Sequence, residues 1–338
     1  FHDAAINIKL SADFDISGKQ SIAYQIVTPA VEYDEDGEWT EYNEETGITI
    51  FPNTKFVLYM KAVDMAGNFA IVNSTGIVVD NQNPIGENDT PEITIIPEES
   101  NENGFYNEDV EVDITVVDPK YLDGEANDAG YYSGLNEIRY RIYDAQSKEE
   151  FETGVLLSLS NVKTEGAAFD KDTLISSWSG SIIVDKEYNS NNIIVEVTAV
   201  DNAGNKRVSS TNDGDIKIDI DVPIISIEYS NNDVANEKYF KGYRYATITV
   251  TERNFDANRV TVNIIADNMA KGETVYDYEK HLQDINNWTR VNGVTYKTTI
   301  PFKTQAFYNV SIACTDLADN TLNQAKPVDD TKAPFEFV

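Results

Sequence analysis

Apolar residues recur at every second position in three separated stretches, and each stretch stops at the same short polar turn. Counting back eight, six, four and two residues from Asp64 gives Phe56, Leu58, Met60 and Ala62. From Asp201 the same count gives Ile193, Val195, Val197 and Ala199, and from Asp316 it gives Tyr308, Val310, Ile312 and Cys314. Between them lie Tyr59 and Lys61, Glu196 and Thr198, Asn309 and Ser311. A period of two predicts strands with one buried and one solvated face.

The turn reads Asp64-Met65-Ala66-Gly67-Asn68, then Asp201-Asn202-Ala203-Gly204-Asn205, then Asp316-Leu317-Ala318-Asp319-Asn320. Gly accepts a positive φ without a Cβ clash, and Asp or Asn bonds its own backbone, so the chain reverses here. Asp319 stands in the Gly position; Asp still visits that region, at some cost. Each copy ends in Asp-x-x-x-Pro, at Asp80 to Pro84, Asp219 to Pro223 and Asp330 to Pro334. Pro donates no ladder bond and forces extended geometry on its predecessor, which suits a strand leaving one module for the next.

A second echo supports the repeat. Ser17-Gly18 precedes a strand containing Ile22, Tyr24 and Ile26, as Ser133-Gly134 precedes one containing Ile138, Tyr140 and Ile142. The turn aspartates are 137 and 115 residues apart, a domain-sized interval. The expected boundaries are 1–83, 84–222 and 223–338. Strands are expected over 246–251, 259–265, 295–302 and up to Thr315 in the third domain, and over 77–80 and 216–220 at the junctions. One helical stretch is expected, around Tyr276 to Asn287. A strong alternating run starts at Ala4, so the first domain is expected to lack its first strand and the chain to be an internal section of something longer. Junctions this short place modules end to end.

Composition narrows the function. The chain has 26 basic and 58 acidic residues, a formal charge of −32 spread along its length. Clustered Lys and Arg are missing, so nucleic acid and anionic membrane are not expected partners. A single cysteine excludes an internal disulfide and a cysteine zinc site; Cys314 reads as a small buried filler. His2 and His281 have no Ser or Cys nucleophile beside them in a recognisable motif, and no enzyme is expected.

The Ala-x-Asp-x-Ala-Gly-Asn turns, the Asp-x-x-x-Pro junctions and the run Ala246 to Phe255 together resemble tandem bacterial immunoglobulin-like domains of Gram-positive cell-surface proteins. That resemblance implies an all-β fold of tandem immunoglobulin-like β-sandwiches arranged end to end, outside the cell and anchored to the wall through other regions. It implies a non-catalytic stalk or adhesin section, and a monomer. Two alternatives stand beside it: the chain as itself the unit that binds a host protein, immunoglobulin or mucin glycoprotein, or as an accessory region of a secreted glycoside hydrolase.

Three further chemistries are open to these residues. Asp80, Asn81, Asn83, Asp219 and Asp221 resemble the oxygen-rich junctions of cadherins, where a hard cation takes six to eight oxygens; no cofactor is expected, with calcium at the domain junctions as the alternative to aspartates that only cap turns, and Asp329 and Asp330 could act alike. The pattern does not identify the carboxylates that a neighbouring domain would add. Tyr121, Tyr131 and Tyr132 lie in a Gly/Asp-rich insertion and are the candidate anchors for a host protein or glycoprotein. Lys9, Lys61 and Lys217 are candidates for the Lys to Asn isopeptide cross-links that the resemblance implies.

Overall fold

In the computed structural model the described residues are 1–27, 33–34, 36–81, 93–118, 133–158, 175–232, 234–236, 238–269, 271–322, 326–327 and 336–338. The chain is nearly all β, with several antiparallel sheets. It divides into two compact units: Phe1–Glu98, Glu111–Ile183 and Ile194–Asp213 form one, and Glu99–Val110, Val184–Ile193 and Gly214–Val338 form the other.

In the first unit, the strand Thr54–Asp64 lies between Lys19–Val27 and Phe69–Asn73, with Thr40–Glu41 at the edge and Ile77–Val79 pairing its opening residues. Phe56, Leu58 and Met60 point inward onto Ile22, Ile48, Ile50 and Val79, while Val57, Tyr59 and Lys61 are only partly covered. This is the expected alternation, and each such side chain contributes about 1.5–3 kcal/mol by leaving water. Two further sheets belong to this unit apart from a terminal residue of three strands. One runs Glu150–Ser158, Leu135–Asp144, Ile193–Asp201, Lys206–Ser210; the other runs Ser177–Val184, Val110–Val117, Thr94–Pro97.

In the second unit, Thr295–Phe302, Arg244–Thr251 and Ile224–Tyr229 pair antiparallel, and Lys326–Pro327 joins Ile224–Tyr229 in parallel. A second sheet runs Val260–Asp267, Phe307–Thr315, Thr321–Leu322. Ile227, Ile248 and Ile300 from the first of these sheets share one core with Val260, Val310, Ile312 and Cys314 from the second.

The three strands that end at the repeated turn therefore sit in three different sheets, each followed by an antiparallel return strand. The helical segment is where the pattern put it, as Tyr278–Leu282 followed by a single tight turn at Ile285–Asn287. Asp277 caps it by accepting from Lys280 N, and Tyr278 and Leu282 are its buried face. The stretch 216–220 is not a regular strand. Its backbone bonds go to different partners, Ile216 to Ile193, Ile218 to Ser190, Lys217 and Asp219 to Tyr106, so only isolated bridges form.

Candidate functional site

The repeated turn is built by its aspartate. In each copy one carboxylate oxygen accepts two backbone N–H bonds from inside the turn, and the other accepts from the Asn side chain four residues on: Asn68 to Asp64 at 2.8 Å, Asn205 to Asp201 at 2.7 Å, Asn320 to Asp316 at 2.9 Å. The position before the Asn takes positive φ, 87° at Gly67, 99° at Gly204 and 70° at Asp319. The Ser-Gly bend packs on this turn. Gly18 O accepts from Met65 N at 3.0 Å and Gly134 O from Asn202 N at 2.8 Å, and in the third copy Asn254 O accepts from Leu317 N at 3.1 Å. Arg253-Asn254 is thus the third counterpart of the Ser-Gly pair.

The motif's Asn does a second job in two copies. Asn205 Nδ2 donates to Asp80 O at 2.8 Å and Asn320 Nδ2 donates to Asp219 O at 2.7 Å, so each turn grips the junction aspartate of the preceding segment. A third acid arrives from the residue that follows a strand, Asp118 after Val110–Val117 and Glu252 after Arg244–Thr251. Among the described residues two groups of three carboxylates result: Asp80, Asp118 and Asp201 in the first unit, Asp219, Glu252 and Asp316 in the second, with one oxygen per residue within 4.8 Å of the others. All six are buried.

Burying three acids together is costly unless protons or cations compensate. Burial, then the neighbouring charges of Asp80 and Asp201, pushes Asp118 up to about 8. Burial also pushes Asp201 up to about 6 and Glu252 to about 7, and raises Asp316. The lone first-copy turn behaves oppositely: Asp64, bonded by the Asn68 side chain and by Ser17, is held below the usual carboxylate range. Asp118 Oδ2 accepts from Gly134 N, whereas its Oδ1 is buried without a hydrogen-bond partner among the described residues.

Oxygens that each lie 2.3–2.6 Å from one calcium ion cannot be more than about 5 Å apart, and three carboxylates offer up to six oxygens. Both clusters meet the spacing condition with one oxygen per residue. Of the junction residues singled out in the sequence, Asp80 and Asp219 each join a cluster, but not with their sequence neighbours. Asn81 is exposed, and its N–H faces Asn53 Oδ1 at 3.4 Å. Asp221 is exposed and accepts from Asn189 Nδ2 at 3.0 Å. Asn83, Tyr121, Tyr131, Tyr132, Asp329 and Asp330 lie outside the described residues. The partners that sequence reasoning misses are Asp118, Asp201, Glu252 and Asp316; in the sequence pattern Asp201 and Asp316 are turn residues only.

The remaining candidates have structural surroundings. His281 Nδ1 bonds Tyr276 Oη at 2.6 Å and its Nε2 bonds Thr298 Oγ1 at 2.9 Å, with burial lowering its pKa. Cys314 is buried, and burial pushes its thiol up to about 12. Lys9 donates to Glu44 O and Glu45 O, Lys61 lies over Trp39 and Phe69, and Lys217 lies over Phe105. No helix among the described residues is long and apolar enough to cross a membrane.

No family model and no curated protein matches the chain. Solved structures similar to it include one from work on host cell surface retention of a 1.5-MDa bacterial ice-binding adhesin, 15% identical over 93% of this chain and 88% of that one, with a TM-score of 0.28. Another is a Ca2+-stabilized adhesin of an Antarctic bacterium that binds ice, 14% identical over 94% of this chain and 67% of that one, also at a TM-score of 0.28. At that level neither likeness bears on what this chain does.

Proposed function

We propose that this chain is a non-catalytic section of a bacterial cell-surface protein, an immunoglobulin-like stalk or adhesin part, in which calcium held by Asp80, Asp118 and Asp201 ties a junction strand to the layer that follows it. The observation that carries the calcium reading is the buried triad itself, in which Asp118 Oδ1 has no hydrogen-bond partner among the described residues. A hard divalent cation would offset two of the three carboxylate charges and occupy that oxygen, so the folded form would bind it and the unfolded chain would not. The repetition of the turn and the acidic surface support the stalk reading: a passive section needs modules and solubility, not a reactive cleft.

Thermal unfolding of the chain in excess EGTA and in millimolar calcium tests this. At calcium a hundred times its dissociation constant the gain is about 2.7 kcal/mol, a rise in Tm of about 5–10 °C. Equal melting temperatures would remove calcium from the account.

A further inference from the structure

The two triads occupy the same place in the repeat, and they differ at the bend. In the first, the bend is Ser133-Gly134; Ser133 gives Asp80 Oδ2 only its backbone N–H, at 2.7 Å, and brings no charge. In the second the corresponding pair is Arg253-Asn254, and both side chains turn onto the junction aspartate. Arg253 Nη2 forms an ion pair with Asp219 Oδ1 at 3.1 Å, and Asn254 Nδ2 donates to Asp219 Oδ2. The guanidinium is held from the far side as well, donating to Asn189 O at 2.9 Å, Asn189 Oδ1 at 2.7 Å and Ile218 O at 3.2 Å. Asn254 N also donates to Glu252 Oε1 at 2.6 Å.

We infer that the Arg253 guanidinium takes the place of a metal ion in the second triad, so that of the two triads among the described residues one, at Asp80, Asp118 and Asp201, is a calcium site and the other is a junction closed by its own arginine. The inference rests on the calcium reading of the first triad. Arginine suits the role because its charge is permanent and its planar fork reaches a carboxylate and several carbonyls in one fixed geometry. Bound to Asp219 Oδ1 it brings a positive charge to the cluster, while Asn254 donates to the other Asp219 oxygen and to Glu252 Oε1. In the first triad, where the bend supplies no such side chain, Asp118 Oδ1 is without a hydrogen-bond partner among the described residues.

The test is calcium titration by calorimetry on the full chain after chelator stripping, with unfolding followed in parallel. The expected result is one tight site per chain, lost in Asp118→Asn and kept in Glu252→Gln, which preserves the acceptor for Asn254 N. Arg253→Ser, alone or with Asn254→Gly, imports the bend of the first triad; it should bring the stoichiometry to two and lower Tm in chelator by about 5–10 °C, with calcium restoring most of the loss. Two tight sites in the unaltered chain, or loss of a site in Glu252→Gln, would overturn the inference while leaving the calcium reading standing. Folded bend variants that still bind one calcium would overturn it too. No tight site in the unaltered chain would instead sink the calcium reading itself.

Discussion

The Asp80 and Asp219 triads are assembled by the same three devices: a junction aspartate, an acid directly after a strand, and a turn aspartate whose Asn reaches back across the junction. What separates them is the bend, Ser133-Gly134 against Arg253-Asn254. A repeat can therefore keep its scaffold and change what neutralises its buried acid, since the scaffold bonds use backbone groups and the motif Asn while the compensating charge comes from a side chain the motif leaves free. The lone first-copy turn at Asp64 is the reference: with Ser17 beside it and no third carboxylate gathered among the described residues, its pKa is lowered rather than raised.

The largest expected break in the comparison is on the arginine side. Asp219 is fully buried and Arg253 is about one-third exposed, so removing the guanidinium strands a charge beside two other acids. Arg253→Ser in chelator should lose about 3 kcal/mol of stability by urea unfolding, near the lower end for a buried pair that loses one member. A loss under about 1 kcal/mol would mean that the guanidinium is not what holds the second triad together.

The next effect has the opposite sign. In chelator at pH 8.5, Asp118→Asn replaces an acid that resists ionisation with a neutral group of the same shape that can still accept from Gly134 N. Stability should rise by about 1–2 kcal/mol while the response to calcium disappears, both read from melting curves with and without the ion. A destabilised variant would contradict the view that the first triad is over-charged without a cation.

Proton linkage separates the acids in a third way. Asp118, Asp201 and Glu252 have folded pKa values above their unfolded ones, so between about pH 4 and 8 the native state binds the extra protons. Their stabilising contribution is present at low pH and is lost as pH rises through about 6, 7 and 8. Asp64 and Asp319 are held low, so their contribution is lost in the other direction, as pH falls below about 4. In chelator the Tm should therefore fall between pH 6 and 8, and saturating calcium should flatten that fall. A chelator profile already flat there would count against burial as the cause of the shifts.

The strands were legible because their signal is local: alternation and a Gly or Asp at a position needing positive φ are read within ten residues. The same locality misled at 216–220, where the residues look like strand but their bonding partners are spread over distant segments. The triads were half legible. Asp80 and Asp219 stood out beside Pro, but Asp201 and Asp316 already had a sufficient explanation as turn residues, and Asp118 and Glu252 are single acids at strand ends. Only the folded chain brings residues so distant in sequence within 4.8 Å. The signal the two acids share is their place directly after an alternating strand, Asp118 after Val110–Val117 and Glu252 after Arg244–Thr251.

The smallest effect concerns the one turn in which Asp replaces Gly. Asp319 holds φ at 70°, a conformation that costs a non-glycine residue about 1 kcal/mol, so Asp319→Gly should recover that amount. Against this, the Asp319 carboxylate pairs with Arg259 and accepts from Asn101 Nδ2 at 2.8 Å. The ion pair is partly exposed and worth about 0.2–1 kcal/mol, and the hydrogen bond adds about 0.5–1.5 kcal/mol. The two sides nearly cancel, and the net change should stay within about 1 kcal/mol. Gly204→Ala, at a φ of 99° with no such partners to gain, should lose about 1 kcal/mol or more. Measured side by side, the two variants separate backbone strain from side-chain compensation: if Asp319→Gly stabilises by well over 1 kcal/mol, the Arg259 and Asn101 contacts contribute nothing, and the third turn is simply a strained copy of the other two.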